Sequence, residues 1–247
     1  MRGLCVAETT ELLARSQAPA YSLPRQLFRK FVHWASYNFI LTSKRTRTVT
    51  VGDLNLLVPP SVFHPGIFIT SRIFAAFLRS LDLTGKSVVE IGTGSGVLAL
   101  SAARAGARSV LALDINPAAV SAADGNAARN DLSAIVSARV SDLLSALAAD
   151  ETFDVIISSP PSFSGEPRDM ADRAWHAGPC YRDIVTLFDQ AHEHLATGGA
   201  MYLLLSSDTD LALMEQLART AGFDWREVVR HSIWVEAFII YRLAKGT

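Results

Sequence analysis

Residues 89–97 read Val89-Glu90-Ile91-Gly92-Thr93-Gly94-Ser95-Gly96-Val97, three glycines at alternate positions behind an acid. Glycine lets backbone touch a ligand where a side chain would hold it away, and it supplies positive φ in a tight turn. Set between an apolar run and an Ala/Leu-rich run, the glycines mark a strand-to-helix turn of the kind that cradles a cofactor. A dinucleotide-binding turn would place its third glycine one residue later, at Val97, and Glu90 would repel a pyrophosphate. The same carboxylate suits ammonium and sulfonium charges. Spacing and charge together favour S-adenosylmethionine (SAM) over NAD.

Two further acids follow at expected strand ends. Asp114 closes the run 110–114, where a carboxylate can accept from ribose hydroxyls. Asp142, in Val140-Ser141-Asp142-Leu143, can accept from an adenine amino group while Ile115 and Leu143 enclose the ring. The alternatives are structural, with Asp142 an N-cap and Asp114 a solvated strand end. The expected cofactor contacts are Glu90, Gly92, Thr93, Gly94, Gly96, Asp114, Ile115, Asn116, Asp142 and Leu143.

A third cluster, Ser158-Ser159-Pro160-Pro161-Ser162-Phe163, ends an apolar run. Proline fixes φ and removes a donor, so the pair makes a stiff turn whose carbonyls can face a ligand; otherwise it merely ends the strand. His176, in the loop beyond with Trp175, Tyr181 and Arg182, is a candidate base or a plain loop residue, and a base matters more for an oxygen acceptor than for a nitrogen. No metal site is expected. His192 and His194, two apart on a helix, point to different faces, and Cys5 and Cys180 are not spaced as ligands.

These residues need a scaffold, and the patterning supplies one. Strands are expected at residues 87–91, 110–114, 134–140, 153–158 and 200–206. Helices are expected at 97–105, from the capping pair Asn116-Pro117 onward, at 181–195 and at 208–221. Runs 224–231 and 237–243 alternate and lie close enough to pair antiparallel. Alternating strands and helices imply a Rossmann-like, doubly wound α/β domain with a mostly parallel sheet and its ligand at the carboxyl ends of the strands. Ahead of it lie an apolar helical run at 73–81 and a hairpin of 48–51 and 54–58 turning at Gly52-Asp53. Earlier still, Leu27, Phe28, Phe31, Val32, Ala35 and Phe39 recur at helical spacing. The expected division is an amino-terminal extension, 1–58, and a catalytic domain, 59–247.

With 247 residues, 49% of them hydrophobic, the chain can bury one large core. A formal net charge of −1 excludes a global field that would hold a polyanion. The one asymmetry is local: Arg15, Arg25, Arg29, Lys30, Lys44, Arg45 and Arg47 have no acid among them. That segment is read as packing on the domain, contacting nucleic acid with Trp34 or Tyr37 stacking, or lying on an anionic membrane. Two cysteines, no apolar run near ~18 residues and no secretory leader suit a soluble, cytoplasmic protein.

Residues 83–162 resemble the class I SAM-dependent methyltransferases, which share E-x-G-x-G-x-G after the first strand and an acid after each of the next two. The resemblance implies a seven-stranded sheet whose last strand is antiparallel. The turn at Ser159-Pro160-Pro161 resembles the Asn/Asp/Ser-Pro-Pro-aromatic signature of members that methylate planar nitrogens, such as exocyclic amines of bases and the glutamine amide. It implies that Ser159 and a carbonyl of the Pro160-Pro161 turn accept hydrogen bonds from the target NH₂. Two departures stand out. Ser159 replaces the Asn of the glutamine-type enzymes, and Ser162 takes the aromatic place, leaving Phe163 to stack on a substrate. Residues 58–70 are similar to the segment preceding the glycine motif in glutamine N5- and rRNA guanine-N2 methyltransferases, which extends the resemblance over 59–243. The function expected is N-methylation of a protein amide or nucleic-acid base. The alternatives are a metabolite methyltransferase and a SAM-binding adaptor without catalysis.

Overall fold

The computed structural model describes residues 45–60, 62, 69–233 and 236–246. The helical spacing at 27–39, the basic residues up to Lys44 and most of segment 61–68 lie outside the described residues. The described residues begin with a hairpin of β1 (Arg47–Val51) and β2 (Leu54–Val58), followed by α1 (Ile69–Ser80). Gly52 at φ 62 makes the turn, as its lack of a Cβ permits. Then come β3 (Ser87–Ile91), α2 (Val97–Arg104), β4 (Ser109–Asp114), α3 (Pro117–Arg129), β5 (Val136–Val140) and β6 (Phe153–Ser158). The chain closes with α4 (Leu187–His194), β7 (Leu195–Ser206), α5 (Leu211–Thr220), β8 (Phe223–Ser232) and β9 (Ala237–Lys245).

The seven strands β3 to β9 form one sheet in the order β5-β4-β3-β6-β7-β9-β8. Neighbours are parallel except β7 with β9 and β8 with β9, which are antiparallel. This is the doubly wound, seven-stranded sheet with a reversed last strand that the sequence leads one to expect. Alternate residues feed opposite faces, as the period of a strand requires. Val88, Val110, Val155 and Ile157 pack with α1, α2, α3 and the hairpin. Val89, Leu113, Ile156 and Leu203 pack with α4 and α5. Winding outward from β3 on one side and β6 on the other leaves a crevice at their carboxyl ends, which is the topological switch point.

Several boundaries depart from expectation. The helix expected at 181–195 starts later: Cys180 (φ 55) and Tyr181 (φ 58) take left-handed backbone in a kinked stretch, Pro179–Ile184, and the regular helix, α4, begins at Leu187. The strand expected from 200 begins at Leu195, where it pairs with Phe153 across an irregularity in register. Residues 134–135 belong to a turn closed by the Ile135 amide donating to the Leu132 carbonyl. Among the described residues, no helix is long and apolar enough to cross a membrane.

Candidate active site

The strand tips line up along the sheet edge with one polar group after another. Asp142 follows β5, Asp114 ends β4, Glu90 lies in β3, Ser158 ends β6 with Ser159 just beyond it, Asp208 follows β7 and Glu236 precedes β9. All of them line one cavity of about 470 Å³. Two strand spacings, about 10 Å, separate the tips of β5 and β3, the scale of a nucleoside. The tips of β6, β7 and β9 carry the remaining half.

In the first half, the glycine loop is held by its own strands. Gly92 and Thr93 donate their amides to the Leu113 carbonyl at 2.8 and 2.9 Å. Gly92 has φ 78 and open space where a Cβ would stand, so the loop presents bare backbone. Asp114 Oδ2 accepts from the Gly94 amide at 2.8 Å, and its Oδ1 accepts from Asn116 N–H at 2.9 Å. Each carboxylate oxygen keeps a further lone pair for a ligand hydroxyl. Burial raises the Asp114 carboxyl above its ordinary range, partly offset by the amides of Asn116, Gly94 and Ile115. Asn116 caps α3 by accepting from Ala118 N–H, with Pro117 in the first turn, and borders the cavity beside Ile115. Asp142 is exposed and Leu143, at φ 51, is half-buried; both line the cavity.

Glu90 is 1% exposed. Although it borders the cavity, its Oε2 turns to the loop and the first turn of α2, accepting from Thr93 Oγ1 at 2.6 Å and Ala99 N–H at 2.9 Å. Burial pushes its carboxyl up to about 8; Asp114 adds to the rise, and the bonds from Thr93 and Ala99 oppose it. Gly96 faces α3. It does not line the cavity, and a Cβ there would stand 3.0 Å from Ala123 Cα of α3, so this glycine serves helix packing.

In the second half, Ser158 Oγ donates to the Ile91 carbonyl at 3.1 Å, fastening β6 to β3 just below the turn. Ser159, Pro160, Pro161, Ser162 and Phe163 all line the cavity, and Ser159 is exposed. Residues 163–184 then fold back as a strap. Phe163 N–H donates to the Trp175 carbonyl, and Ala177 N–H to the Phe163 carbonyl, both at 2.9 Å. Phe163 packs with Ala171 and Trp175, its ring centre 6.0 Å from that of His176. His176 lines the cavity with its Nδ1 3.2 Å from Asp172 Oδ1, whose carboxylate is gripped by Arg168. Tyr181 OH donates to the Ser162 carbonyl and accepts from Asp210 N–H, both at 3.1 Å, pinning the Pro-Pro turn to the start of α5.

Sequence reasoning missed Asp208 and Glu236, which reach the cavity from the far strands, and Asp183, which reaches it from the strap. Asp208 had a signal, since Ser206-Ser207-Asp208 follows an apolar strand as the other site acids do. Asp183 and Glu236 had none. Ile69, Met170 and Ile233, three of the five exposed large apolar side chains among the described residues, rim the same cavity.

The sheet order, the glycine loop and the acids at successive strand tips are similar to those of class I SAM-dependent methyltransferases. Residues 38–159 match the family model of the ribosomal protein L11 methyltransferase, PrmA. The ribosomal protein L11 methyltransferase of Deinococcus radiodurans is 44% identical over 85 residues, which are 34% of this chain and 31% of that protein. Matches to the first two curated relatives, from Aliivibrio salmonicida and Thermotoga petrophila, cover 26% and 38% of their lengths, well under two thirds. Two solved structures share the fold. The ribosomal protein L11 methylase of Lactobacillus delbrueckii subsp. bulgaricus superposes with a TM-score of 0.58 at 19% identity, over 81% of this chain and 100% of that one. A T. thermophilus 16S rRNA N2 methyltransferase, solved with AdoMet and guanosine, gives 0.59 at 21% identity, over 82% of this chain and 50% of that one.

Proposed function

We propose that this chain binds SAM and transfers its methyl group to a planar nitrogen of a macromolecule, a protein amide or a nucleic-acid base. The observation that carries the reading is the single cavity joining the glycine loop and its acids to the Ser159-Pro160-Pro161 turn. When bound, SAM supplies an electrophilic methyl group, so the protein's task is largely positioning. Gly92 and Gly94 give the cofactor bare backbone, Asp114 the ribose acceptor, and Asp142 with Ile115 and Leu143 the adenine seat. Glu90 stands nearest the charged end, holding the loop while it does so. Ser159 and the carbonyls of the Pro-Pro turn accept from the target NH₂, and Phe163 with His176 walls the space beside it. The three apolar side chains at the rim suit an acceptor carried on a larger surface. The relatives named for methylating a ribosomal protein or rRNA support that size class. Residues 1–58 are assigned to an extension and 59–247 to the catalytic domain, with the basic amino-terminal segment a candidate contact for nucleic acid.

The test is to incubate the protein with methyl-labelled SAM and cell extract, then fractionate the label among protein, RNA, DNA and small molecules. Label in protein amide or in a nucleic-acid base is expected. Label confined to metabolites rejects the acceptor class, and no label together with no SAM binding rejects the reading altogether.

A further inference from the structure

The amino-terminal hairpin is held by two asparagines, Asn126 on α3 and Asn130 at the cap of its carboxyl end, and Asn126 also reaches the cofactor loop. Asn130 accepts from Asn55 N–H and donates to the Asn55 carbonyl, both at 2.9 Å. Asn126 does the same to Leu57, accepting from its N–H at 2.7 Å and donating to its carbonyl at 2.9 Å. A side-chain amide thus stands in for a neighbouring strand at two successive same-side positions of β2. The spacing explains the fit: four helical residues rise about 6 Å, and two strand residues about 6.6 Å. β1 pairs with the other edge of β2, so the helix completes the hydrogen bonding of a two-stranded ribbon that would be marginal alone. Both amides are nearly dry, at 1% exposure for Asn126 and 5% for Asn130, where an unmade bond is costly.

The two asparagines differ in one respect. Asn126 Nδ2 also donates to the Ser95 carbonyl at 2.9 Å, whereas the second bond of Asn130 goes to the Asn126 carbonyl within the helix. Ser95 lines the cavity and precedes Gly96, whose amide closes the loop onto the Thr93 carbonyl at 2.9 Å. Ala123, one turn earlier on α3, is the residue against which Gly96 packs. The loop is therefore tethered at Thr93 by Glu90, at Gly94 by Asp114 and at Ser95 by Asn126. Only the last tether leads out of the sheet to the hairpin.

We infer that Asn126 is a positioning residue for the cofactor loop, coupling the seating of the β1-β2 hairpin to cofactor affinity, with Asn130 clamping the hairpin alone. This rests on the reading that the cavity takes SAM. The test uses the full chain and S-adenosylhomocysteine (SAH), titrated calorimetrically into wild type, Asn126→Asp and Asn130→Asp, with Tm measured for each. Each aspartate keeps the acceptor to β2 and loses the donors. SAH affinity should fall by about fivefold to tenfold for Asn126→Asp and stay within about twofold for Asn130→Asp, although both lower Tm. Equal losses of affinity, or none, overturn the inference. Should Asn126→Asp not fold, hydrogen exchange on wild type decides instead. Coupling is reciprocal, so SAH should slow exchange at the Asn55 and Leu57 amides; unchanged rates there reject it. Wild type that binds no SAH fails the cofactor reading itself, a separate and recognisable outcome.

Discussion

The Asp114 carboxylate holds the Gly94 amide at 2.8 Å, so the tip of β4 sets the shape of the loop that leaves β3. The same carboxylate holds Asn116, the cap of α3, at 2.9 Å. Its removal should act on cofactor affinity through lost loop order as well as through loss of the acceptor proposed for the ribose. Asp114→Ala is expected to weaken SAH binding by about a hundredfold, the scale of two charge-assisted bonds, read by calorimetry. Asp114→Ala with ordinary SAH affinity would remove the cofactor assignment.

Glu90 gives a pH signature. Its carboxyl is raised from 4.5 in the unfolded chain to about 8, so between those values the folded protein holds a proton that the unfolded chain has released. The support its neutral form gives the fold is complete below about 4.5, declines as pH rises and is lost through about 8. Glu90→Gln, neutral at every pH, should gain Tm relative to wild type at pH 9 compared with pH 5. A cationic ligand beside Glu90 favours its ionised form, so SAM binding near pH 7 should release a proton. Calorimetry in buffers of different ionisation enthalpy reads that release, which should vanish in Glu90→Gln.

Gly92 and Gly96 both have positive φ, at 78 and 83, but face different things. An added methyl at Gly96 meets Ala123 at 3.0 Å, while at Gly92 it meets nothing within 4 Å. Gly96→Ala should cost about 1–3 kcal/mol of stability by denaturant unfolding, from overpacking and backbone strain together. Gly92→Ala should cost about 1–2 kcal/mol and lower SAH affinity by more than its stability loss accounts for, since it lines the cavity. Matching behaviour of the two variants would show that Gly96 also meets the ligand.

Tyr181 holds the Ser162 carbonyl and the Asp210 amide but does not line the cavity. Tyr181→Phe should leave SAH affinity unchanged and slow label transfer from SAM to the acceptor fraction, by about tenfold where the turn loses its register. A variant that transfers at the wild-type rate would free the Pro-Pro turn from this anchor.

Much of the site was legible because it is local. A glycine loop, an acid at a strand end and a stiff turn are each written within a few residues, and the strand period places their side chains without further knowledge. The common cavity of Glu90, Asp114, Asp142 and Ser159 then follows from parallel strands sharing one carboxyl edge. Asp208 was legible by the same rule and was overlooked. The break at Cys180 and Tyr181 was not, since the apolar spacing there continues like a helix while the backbone turns left-handed.

The amino-acid order alone determined a doubly wound sheet, its ligand-bearing edge and the residue types along that edge, because period and turn chemistry act over a few residues. Only the tertiary structure decided what Gly96, Asn126 and Tyr181 do. Their partners, Ala123, Ser95 with Leu57, and Ser162 with Asp210, come from other elements of the chain. Nothing near a residue in sequence specifies such a partner. It is the docking of α3 on the hairpin and of the strap on α5, driven by burial of apolar surface, that brings these groups within hydrogen-bond reach.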